Sequence, residues 1–216
     1  MRNKKEFDII FKKLNKQYPD IKTSLNHNNI FELLISTILS AQCTDERVNE
    51  TTKVLFERFK NSKELSEANK EEIERIIKST GYYKNKANNI IMASRIIEEK
   101  YNSKVPNKMN ELTEIRGVGR KTANIILSVG YNKNEGIAID THVKRLTKRL
   151  DFTKSDNPDT IELDLMKITK QKDWNRISML LILHGRAVCH SRSPHCHSCI
   201  IKNQCPSAFK FKNYKG

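Results

Sequence analysis

No apolar run in this 216-residue chain approaches the roughly 20 residues that cross a bilayer, which excludes a helical membrane protein. Nor is there a secretory leader, because MRNKKEFDIIFKKL is too charged and too interrupted to be one. Alternating apolar and polar stretches, internal repeats and low-complexity blocks are missing as well, which argues against sheet architectures and repeat arrays. Acidic residues are in short supply, 25 Asp and Glu against 40 Lys and Arg, for a formal charge of +15. Part of that excess follows a general richness in Lys, Asn and Ile. A basic chain of this size nevertheless points first to nucleic acid as partner. Cysteines number only five, and four of them fall between Cys189 and Cys205. In the cytoplasmic setting that the missing leader implies, such clustering suggests a metal rather than disulfides.

Helical periodicity is what the chain does have. Phe7, Ile10, Phe11 and Leu14 share one helix face, as do Val48, Leu55 and Phe59, while FELLISTILSA is apolar nearly all round and reads as a buried helix. KEEIERIIKS and NKANNIIMASRIIEEK are amphipathic helices on either side of Gly81. Further helices are predicted over Lys108 to Ile115, Arg120 to about Val129, Thr141 to Leu150, Pro158 to Lys170 and Trp174 to Ala187. The fold class is all-α, with roughly ten short helices and a metal-bound tail.

Glycine is scarce too, at seven residues, yet two of them flank one valine in IRGVGRKTANI. A helix–GVG–helix hairpin brings backbone close to a phosphate. Gly117 and Gly119 can take positive φ without a Cβ penalty, and the free N–H groups that open the second helix face the anion. Contacts of this kind position a protein on DNA without reading its sequence. Lys121 sits at the start of that helix. A helix N-terminus disfavours a protonated amine, and an amine nucleophile must be neutral, so Lys121 is the candidate nucleophile against a background of many solvated lysines. Asp140 in AIDTHVKR follows an apolar stretch and precedes a helix. It is placed to cap that helix, and equally to take a proton or to stabilise developing positive charge. The tail, CHSRSPHCHSCIIKNQC, spaces its cysteines C-x6-C-x2-C-x5-C. One close pair flanked by two single cysteines suits four thiolates around one iron–sulfur cluster, whereas the interleaved His190, His195 and His197 keep zinc open.

These motifs together resemble the bacterial endonuclease III family, DNA glycosylases and abasic-site lyases of the helix-hairpin-helix superfamily. The likeness rests on GVGRKTA, IDTHV and the cysteine spacing, and extends to LLISTILSAQCTD, TGYYKNKANNI and LILHGRAVC. It implies two all-α domains, a six-helix barrel over residues 24–134 and a cluster domain formed by 1–23 and 135–216, with a DNA-binding cleft between them. By the same resemblance Lys121 is the nucleophile, Asp140 the catalytic carboxylate, and Cys189, Cys196, Cys199 and Cys205 the ligands of a [4Fe–4S] cluster. Gln42 fills the gap left by an extruded nucleotide, and Tyr82 stands where the family wedges a leucine into the opposite strand. Gly117, Val118, Gly119 and Arg120 meet phosphate, and Arg192 extends the contact from the cysteine loop.

The implied partner is double-stranded DNA containing damaged pyrimidines or abasic sites, met by a cytoplasmic, nucleoid-associated monomer. Three departures stand out: Arg116 replaces the proline of the family's turn, Tyr82 replaces leucine, and the loop between Cys189 and Cys196 is less basic than usual. A monofunctional adenine glycosylase is the nearest alternative, and a non-catalytic metal-stabilised DNA-binding protein the next. Lys121 and the short stretch after Cys205 argue against the first, and the pairing of Lys121 with Asp140 against the second. A chain of charge +15 that grips phosphates releases counterions, so its affinity for undamaged duplex should fall steeply with salt. Titrations across a salt series should give a clearly negative slope of log affinity on log salt, and a flat plot would remove the polyanion reading.

Overall fold

The helices begin on asparagine. Asn3, Asn29, Asn61, Asn69 and Asn157 each accept a backbone N–H of the first turn through the side chain, and Thr44 and Asp140 do the same. A capping oxygen satisfies one of the orphan donors at a helix start and contributes about 1 kcal/mol. The Asn-rich composition therefore serves a chain of many short helices. The computed structural model describes residues 2–211, and among them there are helices, turns and irregular segments with no strand.

By density of contacts the chain divides into two units, residues 23–133 and residues 1–22 with 134–216. The first holds α2 (Ile30–Leu39), α3 (Asp45–Arg58), α4 (Ser62–Ser66), α5 (Lys70–Ile77), α6 (Tyr83–Tyr101), α7 (Met109–Glu114) and α8 (Arg120–Ile125). The second holds α1 (Lys4–Gln17), α9 (Thr141–Arg149), α10 (Pro158–Ile168) and α11 (Trp174–Ala187). Every residue from Glu32 to Leu39 is buried, as the all-round apolar pattern of FELLISTILSA predicts. Around α2 pack α3, α6 and α8, and one core runs through Leu33, Leu34, Leu55, Ile77, Ile90 and Ile126. In the other unit α1 lies on α11, and Phe7 meets the fully buried Phe152 with ring centroids 5.4 Å apart. Cys43 packs half-buried against the first core, as a small apolar residue does.

Two elements differ from the sequence reading. The helix expected from Arg120 to about Val129 keeps α-geometry only to Ile125 and then widens into a π-turn, Ile126–Gly130. Gly130 there lies against Ile30, where an added Cβ would stand 3.1 Å from the isoleucine methyl, so the wider turn seats backbone directly on α2. Helix α4 went unpredicted, because five residues are too few to show a period. No helix among the described residues is long and apolar enough to cross a membrane.

Candidate functional site

In the unit formed by residues 23–133, α7 and α8 make the expected hairpin. The turn between them is closed by Val118 N–H donating to the Ile115 carbonyl at 3.0 Å, and Val118 is held by burial at 5% exposure. The two glycines do different work, and of the two that can take positive φ only Gly117 does. Gly117 has φ of +84°, and a Cβ there would press within 3.1 Å of Asn89. Gly119 is extended (φ −93°) as N-cap of α8, and a Cβ there would meet nothing within 4 Å. Gly117 is thus required by the fold of the turn itself. Gly119 leaves open space in front of a helix start that has no side-chain cap. Arg116 takes up the turn's extra charge by donating from Nε to Asn89 Oδ1 at 3.2 Å. Arg120 and Lys121 follow as the first two residues of α8, both exposed.

Gln42 and Tyr82 belong to the same unit and share an uncommon backbone. Both are exposed and both lie in the left-handed region, with φ of +53° and +49°. Non-glycine residues seldom adopt that conformation, and it concentrates where a side chain must be aimed. Tyr82 is 66% exposed, an aromatic ring that the core does not use. It opens α6 without a side-chain cap, directly after Gly81.

In the unit of residues 1–22 and 134–216, Asp140 is half-buried and caps α9, its Oδ1 accepting Val143 N–H at 2.8 Å. The capping expectation is therefore met. The approach to it is a buried segment, Gly136 to Ala138, in which Ile137 N–H donates to Glu162 Oε1 at 2.9 Å and the Ala138 carbonyl accepts Ser178 Oγ–H at 2.7 Å. Helices α10 and α11 in this way fix where the carboxylate begins its helix.

The far half of α9 carries residues that sequence reasoning missed. Arg145 donates to the Gly185 carbonyl and to the Cys189 carbonyl, each at 3.1 Å. Arg149 donates to Cys189 Sγ at 3.1 Å and to the His190 and Ser191 carbonyls at 2.7 Å. Gly185 permits the approach of α11 to α9, since a Cβ there would lie 2.8 Å from His142 Nδ1. The usable signal was a pair of arginines four apart on the helix that Asp140 starts, and nothing local marks their partner.

None of the five cysteines is in a disulfide, and Cys189, Cys196, Cys199 and Cys205 line one pocket together with Arg149 and His184. His184 is buried between Tyr18 Oη at 3.1 Å and Cys199 Sγ at 3.4 Å, and burial lowers its imidazole to about 4. Burial pushes the Cys199 thiol up to about 11, and the other three thiols add to the rise. Among the described residues no three His, Cys, Asp or Glu side chains are grouped closely enough to hold a single ion. Arg192 is exposed in the loop, beside His190 and His195, whose rings touch edge-on with centroids 4.8 Å apart.

Comparison with known proteins adds three findings. The family model of the HhH-GPD superfamily of base excision DNA repair proteins matches residues 35–171. The chain is 47% identical over 203 residues to endonuclease III of Synechocystis sp., covering 94% of this chain and 91% of that protein. It is similar to two solved structures at 40% identity and TM-score 0.93. One is a non-covalent endonuclease III–DNA complex, covering 97% of this chain and 98% of that one. The other is a trapped endonuclease III–DNA covalent intermediate, an estranged-adenine complex, covering 97% and 99%.

The contrast between the glycines is testable. Gly117→Ala should cost about 1–3 kcal/mol of stability, from strain at positive φ. Gly119→Ala should cost less than about 1 kcal/mol, the ordinary penalty for alanine at an N-cap, and yet still weaken binding to undamaged duplex. Urea unfolding and fluorescence anisotropy on both variants check this, and equal destabilisation would refute the division of roles.

Proposed function

The chain belongs to the endonuclease III family of the HhH-GPD superfamily, and on that premise we propose that it is a bifunctional DNA glycosylase and abasic-site lyase of base excision repair, acting on oxidised pyrimidines in double-stranded DNA. The observation that carries the reading is Lys121, an exposed primary amine on the second residue of a hairpin helix whose start is uncapped. A damaged pyrimidine within a duplex is unreachable, so it must be extruded, at a cost of a few kcal/mol that poor stacking or pairing of the lesion reduces. The hairpin backbone at Gly117 to Arg120 holds phosphate. Gln42 occupies the vacated space, and Tyr82 enters the opposite strand, where a ring can stack in place of a leucine's wedge.

Lys121 Nζ attacks C1′ of the sugar as the bond from C1′ to the base breaks, and the base leaves with a proton. Asp140 assists that departure by proton transfer and by stabilising oxocarbenium character with its negative charge. Opening of the sugar ring gives an imine between C1′ and Lys121. The imine acidifies the hydrogens on C2′. Loss of one of them forms a carbon–carbon double bond and expels the 3′ phosphate, and hydrolysis then frees the lysine. The carboxylate also caps α9, so its position does not depend on substrate.

Cys189, Cys196, Cys199 and Cys205 hold a [4Fe–4S] cluster in this reading, supported by their spacing and by one shared pocket. When bound, the cluster supplies positive charge to the thiolates and ties the loop that carries Arg192. The chain's own part is Arg149, whose N–H on Cys189 Sγ offsets thiolate charge, and Arg145, which holds the Cys189 carbonyl. Its substrate places the enzyme in the cytoplasm, on the nucleoid.

Borohydride added during turnover should trap a protein–DNA adduct, with the modified peptide containing Lys121. Lys121→Gln should abolish trapping and strand nicking while binding duplex normally; an adduct at another lysine would overturn the mechanism. Asp140→Asn keeps an equally good cap and removes the charge. It should slow base release severely, by about a hundredfold or more as loss of acid–base assistance does, and hurt a pre-formed abasic site much less. Protein purified without oxygen should contain iron and acid-labile sulfide, and stoichiometric zinc without sulfide would exclude the cluster.

A further inference from the structure

Lys86 is a lysine inside the protein. It lies in the first turn of α6 and is 4% exposed, and its ammonium donates to two carbonyls, Leu39 at 2.9 Å and Thr80 at 2.7 Å. Both acceptors end helices. Leu39 is the last residue of α2, and Thr80 closes the 3-10 turn Lys78–Thr80 that follows α5. Helix C-termini present unpaired carbonyls and partial negative charge, so two of them together can hold a buried ammonium that burial alone would expel. Burial lowers the Lys86 pKa, with Cys43 pulling the other way.

What the two carbonyls precede gives the arrangement its meaning. After Leu39 the chain enters a tight turn closed by Cys43 N–H on the Ser40 carbonyl at 3.2 Å, and Gln42 occupies the left-handed corner of it. After Thr80 come Gly81, with φ of +70°, and Tyr82, with φ of +49°. The Tyr82 carbonyl in turn accepts the backbone N–H of Lys86 itself at 3.0 Å. One residue therefore grips the Gly81–Tyr82 corner from both sides, and with the same ammonium grips the base of the Gln42 turn.

We infer that Lys86 is a positioning residue that holds Gln42 and Tyr82 in fixed register, so that both side chains enter an opened duplex as one rigid device. The inference rests on the assignment of those two residues to the opened duplex. A wedge that must order itself on binding loses affinity to that ordering, and a shift of about 1 Å at a positioning group can cost a hundredfold in rate. Two turns separated by 40 residues in sequence share no direct covalent link, and the buried ammonium ties them through hydrogen bonds.

The test uses a duplex with a stable abasic analogue opposite 2-aminopurine, whose fluorescence rises when it is unstacked, alongside single-turnover rates on a damaged pyrimidine. Lys86→Met keeps the stem and removes the donors. It should lower both the fluorescence rise and the rate by about tenfold or more, while affinity for undamaged duplex stays within about twofold. In a Gln42→Ala, Tyr82→Ala background the same change should add less than about a twofold loss, because Lys86 then has nothing left to position. An equal loss in that background, or a parallel loss of affinity for undamaged duplex, would make Lys86 a general scaffold residue and overturn the inference. Should Lys86→Met fail to fold, Lys86→Arg, whose broader head cannot take the ammonium's place between the two carbonyls, should show a smaller loss that again disappears in the Gln42→Ala, Tyr82→Ala background, and a loss that persists there overturns the inference. If the Gln42→Ala, Tyr82→Ala protein itself raised 2-aminopurine fluorescence like the parent, the wedge assignment would be at fault. That result is distinct from every Lys86 outcome.

Discussion

A chain of short helices is constrained above all by its helix ends. Each α-helix leaves several N–H and C=O groups without partners, and in a short helix these are a large fraction of the backbone. Among the described residues, seven of the eleven α-helices answer at the N-terminus with a capping side chain. Of the rest, α11 continues from a 3-10 turn, Gln171–Asp173, and α7 begins at Lys108, whose amine pairs with Glu111. The remaining two, α6 and α8, begin at Tyr82 and Gly119, both assigned to DNA. All four of these helices lack a side-chain cap, and the two that begin at Tyr82 and Gly119 are the starts proposed to meet DNA, Tyr82 standing at a left-handed corner as Gln42 does.

Helix α9 shows the rule used in the opposite way. Its cap is a carboxylate already satisfied by Val143 N–H, so the group expected to face a developing cation is oriented before any substrate arrives. About one and a half and two and a half turns further on, Arg145 and Arg149 hold the backbone and sulfur of Cys189. One helix thus runs from Asp140 to the arginines that hold the cysteine loop.

The sequence made some of this legible and hid the rest for a definite reason. Lys121, Asp140 and the four cysteines are recognisable because their significance lies in local spacing: a GVG turn, an apolar run before an aspartate, intervals of six, two and five. The buried character of α2 and the limits of α11 follow from periodicity. Lys86, Arg145, Arg149 and His184 were not legible. Three of them belong to 40 basic residues that look alike in one dimension, and their partners lie 47, 44 and 40 positions away. Gly117 and Gly119 look equivalent in the sequence and differ in the fold, because only one takes a left-handed backbone. The break of α8 into a π-turn depends on Ile30, a contact that periodicity within α8 cannot register.

The choice of asparagine over aspartate at the caps has an electrostatic consequence. The two residues cap equally well, so stability does not select between them. Their charge does, in a protein that must approach a polyanion. Replacing the five capping asparagines by aspartates would leave the helices as well capped and reduce the formal charge from +15 to +10. It would also add a further anion at five helix starts, each repelling phosphate within a Debye length of about 8 Å at physiological ionic strength. Each of these starts already carries a carboxylate in its first turn, at Glu6, Glu32, Glu64, Glu71 with Glu72, and Asp159, so the neutral caps keep further negative charge off them, and among the described residues Asp140 is the one capping carboxylate.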